Sequence, residues 1–211
     1  MAAPQAGGAG WLPRIRHLPS PNFNARPAGC PVDTVIIHYI SLPPGRFSGD
    51  AIDRLFTNRL AGDPHPVLAE LSTLKVSAHF LIRRPGTLVQ YVSTDDRAWH
   101  AGPSRLLNRS ACNDFSIGIE LEGDGHHPFT HAQYRRLSRL LELLRQRHPL
   151  RLIAGHEDIA PDRKFDPGPF FDWPRVLSSP GGAGLIRPFS PNSPVRPPTP
   201  AGEPQGMGPK R

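Results

Sequence analysis

Thr34-Val35-Ile36-Ile37-His38-Tyr39-Ile40 is an apolar, β-branched run broken only by a histidine and a tyrosine near its end. A strand with one face in water alternates polar and apolar positions, whereas a strand covered on both faces reads as a continuous apolar run. The stretch therefore predicts a strand inside a sheet. His38 comes at its C-terminal end, and Ser41-Leu42-Pro43-Pro44-Gly45 then breaks the chain. Further on, Leu152-Ile153-Ala154 reads as a second buried strand end, followed at once by Gly155-His156. Parallel and mixed sheets place their sites beyond the carboxyl ends of strands, and both histidines occupy such places.

The intervening chain supplies the other elements. Ile52, Leu55, Phe56 and Leu60 recur at spacings of three and four, which predicts a short helix opening near Ser48 or Asp50; Val67 to Leu74 predicts another. Ala78–Arg84 and Thr87–Val92 flank Pro85-Gly86 and predict a hairpin. Phe115 to Gly123 alternates, with Ile117, Ile119 and Leu121 on one side and Ser116, Gly118, Glu120 and Glu122 on the other. Thr130-His131-Ala132-Gln133 reads as a capping box. It opens a helix with a buried stripe of Tyr134, Leu137, Leu140, Leu141 and Leu144. Arg135, Arg136, Arg139, Arg145 and Arg147 lie off that stripe, a solvated face rather than a nucleic-acid site. Trp11, Leu12, Leu18 and Phe23 belong to a proline-fixed arm expected to lie on the core.

The 211 residues suffice for one domain with a full core, and the net charge of +7 is modest. No nucleic acid, membrane or obligate protein partner is expected. The 2 cysteines, Cys30 and Cys112, are too few for a disulfide framework and not paired as in a cysteine zinc site. No apolar run is long enough to span a bilayer. Met1 to Trp11 lacks a basic start followed by an apolar core, so no signal peptide and a cytoplasmic place are expected. Proline and glycine make up nearly half of residues 180–211, a composition that buries too little apolar surface to offset ordering entropy. The expected organisation is a flexible N-terminus over 1–9, one domain over 10–178 and a disordered tail over 179–211.

The chemistry concentrates in Gly155-His156-Glu157-Asp158-Ile159-Ala160-Pro161-Asp162-Arg163-Lys164-Phe165-Asp166-Pro167-Gly168. The segment has neither helical nor strand periodicity and reads as a loop. Imidazole and carboxylate are ordinary zinc ligands, and three protein ligands leave one position open for catalysis. His156 and Asp166 are the working pair, though spacing alone leaves Glu157, Asp158 and Asp162 as rival carboxylates. Lys164, two residues before Asp166, is placed to share its side in an extended segment. His38 is either a satisfied strand-end histidine or the third ligand. Glu120 and Glu122 are either a solvent-facing pair or hold a general base in a cleft. His100 either meets substrate or holds its own loop.

Five motifs stand in order: Val35-Ile36-Ile37-His38; Val76-Ser77-Ala78-His79-Phe80-Leu81-Ile82; Arg97-Ala98-Trp99-His100-Ala101-Gly102; Cys112-Asn113-Asp114-Phe115-Ser116-Ile117-Gly118-Ile119-Glu120-Leu121-Glu122-Gly123; and Gly155-His156 through Lys164-Phe165-Asp166-Pro167-Gly168. Together, over about Gly10 to Val176, they resemble the type-2 N-acetylmuramoyl-L-alanine amidases, a family that includes phage lysins and peptidoglycan recognition proteins. The likeness is to its cytoplasmic branch, which recycles anhydro-muropeptides. The resemblance implies an α/β fold, a mixed central β-sheet flanked by helices, with zinc in a surface cleft. It implies His38, His156 and Asp166 as zinc ligands, Glu120 as catalytic glutamate and Lys164 as catalytic lysine. The implied substrate is a small muropeptide, cut between the lactyl group of N-acetylmuramic acid and L-alanine. The chain departs from the pattern at Tyr39, Lys75 and Ala111, where that branch carries asparagine, arginine and arginine. These positions go with substrate recognition, so Tyr39, Lys75 and His100 are candidate substrate contacts, with Arg109 or Arg105 as a replacement for the lost charge. A non-catalytic peptidoglycan-binding module and an exported wall hydrolase are the alternatives on the same fold.

Overall fold

The computed structural model describes residue 8 and residues 10–189. Leu12 is fully buried and its N–H donates to Gln90 Oε1 at 2.9 Å, so the N-terminal arm does lie on the core. β1 (Arg16–His17) adds to a sheet edge, and β2 (Phe23–Ala25) starts a separate ribbon. The apolar, β-branched run that ends near His38 is β3 (Thr34–Ile40). Next come α1 (Ala51–Phe56) and α2 (Pro66–Glu70), the latter extended by a 3₁₀ turn over Leu71–Thr73. The predicted hairpin is β4 (Phe80–Ile82) and β5 (Leu88–Gln90), antiparallel around Pro85-Gly86. β6 (Asp96–Ala98) pairs with β2, and β7 (Arg105–Leu106) with β8 (Arg109–Ser110). β9 (Ser116–Glu122), α3 (His131–Arg145), β10 (Leu152–Gly155), the single turn α4 (His156–Ile159) and α5 (Trp173–Leu177) complete the chain.

The main sheet has six strands in the order β1-β5-β4-β9-β3-β10. All neighbours are parallel except β4 and β5, so the sheet is mixed, as expected. β3 and β9 are interior neighbours. One sheet face, with Val35, Ile37, Ile117, Ile119 and Leu121, packs on the α3 stripe of Tyr134, Leu137, Leu140, Leu141 and Leu144. Each fully buried leucine there contributes roughly 2 kcal/mol. The α3 capping box is present: Gln133 N–H donates to Thr130 Oγ1 at 3.1 Å and Thr130 N–H to Gln133 Oε1 at 2.9 Å. A second core gathers α1 and α2 against Leu81, Val89 and Tyr91. Among the described residues no helix is long and apolar enough to cross a membrane, and both cysteines are free thiols.

Two expectations are corrected. Residues 180–189 are not a tail. Leu185 is buried, Ile186 bridges to Leu152 in parallel, and Ile153 N–H donates to Ile186 O at 3.0 Å. Gly181 and Gly182 are there for close approach: a Cβ at Gly181 would lie 2.0 Å from Ser138 O, and one at Gly182 2.0 Å from Val176 O. Composition registered these glycines only as chain flexibility. The rest of the expected tail, and most of the expected flexible N-terminus, lie outside the described residues. The second correction concerns the loop after β10, which opens with the helical turn α4. Asp158 Oδ2 accepts from Gly155 N–H at 2.7 Å, the N-terminal capping that makes so short a turn possible.

Candidate metal centre and active site

Register assembles the site. Gly155 of β10 pairs with Ile37 of β3, and His38 of β3 with Glu120 of β9. The histidine that follows Gly155 therefore emerges beside His38, with Glu120 at the same level one strand over. Asp166 returns to this point at the end of the loop, where Glu157 N–H donates to its carbonyl at 2.8 Å. His38, His156 and Asp166 are all buried and together form a group able to hold a metal ion. His38 Nδ1 lies 3.0 Å from His156 Nδ1 and 3.0 Å from Asp166 Oδ2, and His156 Nδ1 lies 3.1 Å from the same oxygen.

The outer hydrogen bonds fix what these atoms present. His156 Nε2 is 3.2 Å from the Ala101 carbonyl, which only accepts, so Nε2 carries the proton and Nδ1 a lone pair. Ser116 Oγ donates to Cys112 O at 2.5 Å and accepts from His100 Nε2 at 3.3 Å. His100 Nδ1 is then an acceptor for His38 Nε2 at 3.0 Å, leaving the His38 Nδ1 lone pair facing inward. Burial lowers the His38 pKa to about 4, so its ring is neutral. Two imidazole lone pairs and a carboxylate thus converge with no proton between them. Such a donor set repels itself unless a cation sits among it. The edge of a tetrahedral zinc polyhedron is roughly 3.3 Å, close to these separations, so the residues fit the group.

Glu120 faces the same cleft. It is 9% exposed, and among the described residues its Oε2 finds no hydrogen-bond partner. Buried polar atoms are nearly always satisfied, so an orphan oxygen marks a place for water or substrate. Burial, then the charge on Asp166, raises its pKa well above the ordinary carboxylate value; Lys164 opposes this. Glu122, two residues on, is different. Its oxygens accept from Ser48 N–H at 3.0 Å, Arg83 Nη1 at 3.2 Å and Arg84 N–H at 3.0 Å. The face carrying both glutamates is not solvent-facing, and only one of the pair is left for chemistry.

The cleft is about 260 Å³ and is lined by His38, Tyr39, His100, Glu120, His156, Lys164 and Asp166, with Leu42, Leu74 and Trp99 among its apolar walls. Lys75 is exposed and absent from the lining, although Leu74 and Val76 on either side belong to it. Arg109 is also absent: its guanidinium pairs with Asp33 at 2.7 Å and stacks 3.5 Å from the Phe115 ring centroid. It sits on the β7–β8 hairpin, where these protein groups are its partners. Leu74 and Trp99 were not singled out as wall residues from sequence. Leu74 is 44% exposed, and a leucine left in solvent at the end of a helical turn is the signal that marks it.

A family model described as N-acetylmuramoyl-L-alanine amidase matches residues 28–169. The chain belongs to the N-acetylmuramoyl-L-alanine amidase family. The amidase is 52% identical over 168 residues to 1,6-anhydro-N-acetylmuramyl-L-alanine amidase AmpD of Salmonella typhimurium (strain SL1344), covering 79% of this chain and 90% of that one. A crystal structure of a Se-Met AmpD derivative superposes with a TM-score of 0.76 at 48% identity, covering 80% of this chain and 96% of that one. The amidase AmiD from E. coli was solved with the substrate anhydro-N-acetylmuramic acid-L-Ala-D-gamma-Glu-L-Lys. It aligns at 30% identity and a TM-score of 0.54, covering 77% of this chain and 60% of that one.

Proposed function

We propose that this amidase hydrolyses the amide between (1,6-anhydro-)N-acetylmuramic acid and L-alanine in soluble muropeptides, with zinc as its metal, in the recycling of peptidoglycan fragments. The observation that carries the reading is the convergence of three buried lone-pair atoms beside an unpartnered Glu120 oxygen in one cleft. The names of relatives at this level of identity support the substrate class.

His38, His156 and Asp166 would hold the zinc. When bound, zinc supplies Lewis acidity that polarises a carbonyl and brings the pKa of water toward about 7. Glu120 accepts the proton of the attacking water and delivers it to the alanine nitrogen as the C–N bond breaks. Its raised pKa suits a group that must take a proton and then release it. The Lys164 ammonium stabilises the negative charge that develops on the carbonyl oxygen. Tyr39 and His100 line the same cleft. Of these, His100 has both ring nitrogens engaged with protein and serves to orient His38.

Mass spectrometry of products from anhydro- and non-anhydro-muropeptides, with wild type and Glu120→Ala, tests the proposal. Release of the L-alanyl peptide by zinc-loaded wild type, and its loss in the variant, is expected. Zinc-loaded wild type that leaves both substrates intact refutes it and favours a binding module.

A further inference from the structure

We infer that residues 181–187 clamp the turn that presents His156, with Arg187 as the positioning residue that locks it. The inference rests on the zinc reading above and concerns a segment beyond the span matched by the family model.

Ile186 N–H donates to Arg151 O at 2.9 Å and its carbonyl accepts from Ile153 N–H at 3.0 Å, so the segment runs alongside β10. Leu185 anchors it in the main core. Arg145 donates to the carbonyls of Gly181, at 3.4 Å, and Ala183, at 2.5 Å, from the end of α3. This alignment brings Arg187 over α4. Its Nε and Nη2 reach Asp158 Oδ2 at 3.2 Å each, and Nη2 reaches Oδ1 at 3.0 Å. The guanidinium lies 4.2 Å from the Trp173 ring centroid, which holds its plane. The pair is largely buried, with side chains 16% and 9% exposed, so it is a paired charge sheltered from solvent rather than a loose surface contact.

Asp158 is where the clamp meets the metal site. The oxygen bound by Arg187 also accepts from Gly155 N–H, the residue directly before His156. Gly155 is itself wedged: a Cβ there would meet Pro167 Cδ at 2.7 Å. Removing Arg187 leaves a buried carboxylate without its cation. It must turn to water, and in doing so it releases the Gly155 N–H and the start of the His156 turn.

The test is the rate of zinc release from folded, zinc-loaded protein to a chromophoric chelator, alongside urea unfolding of each variant. Arg187→Ala is expected to release zinc about tenfold faster or more, in the range of other outer contacts to metal ligands. Arg187→Lys, which keeps the charge but not the two-pronged contact, falls between. Arg145→Ala loosens the same segment away from the metal turn, and is expected to lower the urea midpoint while accelerating zinc release less than Arg187→Ala does. Release from Arg187→Ala at the wild-type rate overturns the inference, as does equal acceleration in Arg145→Ala, which would make general loosening the cause. If Arg187→Ala does not fold, Arg187→Lys carries the comparison. Wild type that takes up no zinc overturns the metal reading and the inference together; wild type that holds zinc while Arg187 variants match it overturns the inference alone.

Discussion

His38 and Glu120 are register partners on adjacent parallel strands, one aiming a nitrogen lone pair and the other an unpartnered oxygen into the same cleft. Because side chains alternate, a slip of one residue between β3 and β9 would send one of the two to the α3 side. Sheet pairing thus holds the proposed ligand and the proposed base on the same face. The isosteric change Glu120→Gln removes the proposed base and leaves His38, His156 and Asp166 in place. It is expected to lower kcat by about 10³-fold while zinc content, read by elemental analysis, stays at the wild-type level. Full activity in the variant would remove Glu120 from the reaction.

Zinc removal should abolish turnover, and zinc alone should restore it. Bound zinc also stabilises the fold by mass action, by about 2.7 kcal/mol at a hundredfold excess over Kd. The thermal midpoint is therefore expected to rise with zinc in wild type and to stay put in His38→Ala, His156→Ala and Asp166→Ala. A zinc-dependent shift surviving in all three would place the ion elsewhere.

Gly118→Ala tests the floor under His100. A Cβ there would sit 2.4 Å from His100 Cγ, and His100 already meets the His79 ring edge-on, with centroids 5.7 Å apart, and is tied at both ring nitrogens to His38 and Ser116. The ring has little room to retreat, so overpacking of about 1–3 kcal/mol is expected. Zinc affinity should fall as well, since the displaced ring is the acceptor for His38. Urea unfolding of the metal-free protein and a zinc titration read the two effects.

Three buried histidines set a pH dependence of stability. Burial lowers His38 to about 4 and drives His79 and His100 well below their ordinary value. The unfolded chain binds these protons below about 6.5 while the folded chain does not, so stability falls as pH drops from there toward the folded values. For metal-free protein the urea midpoint is expected to be lower at about pH 5 than at about pH 7.5. A midpoint that does not fall as pH drops over that interval would mean that the histidine contribution is absent or offset by the raised carboxyl of Glu120.

Truncation separates the packed segment at 181–187 from the residues beyond Phe189. A chain ending at Ser179 loses Leu185, the Ile186 bridge to Leu152 and the Arg187–Asp158 pair. A cost of about 2–5 kcal/mol is expected for the leucine alone. A chain ending at Phe189 retains all of these and is expected to keep the wild-type midpoint in urea.

Much of the fold and of the site was legible in the sequence. The apolar run Thr34–Ile40 announced a strand covered on both faces, and the α3 stripe and its capping box could be read from spacing. The proposed ligand set came from motif resemblance, and the structure brings His38, His156 and Asp166 together. Spacing could not separate Glu120 from Glu122, because both lie on one face of β9. The difference is that Arg83, Arg84 and Ser48 reach only the second, a fact of tertiary contact. The packed segment at 181–187 was hidden for a related reason: glycine for close approach and glycine for freedom look the same in composition.

The pairing of β3 with β10 has a consequence for biosynthesis. His38 is separated by 118 residues from His156 and by 128 from Asp166. A chain emerging from the ribosome has β3, β9 and α3 in hand before β10 exists, and domains form as their segments arrive. The pocket is among the last features to close, waiting on a strand near the end of the domain. On the zinc reading, a nascent chain halted before Asp166 lacks one of the three groups proposed to hold the ion.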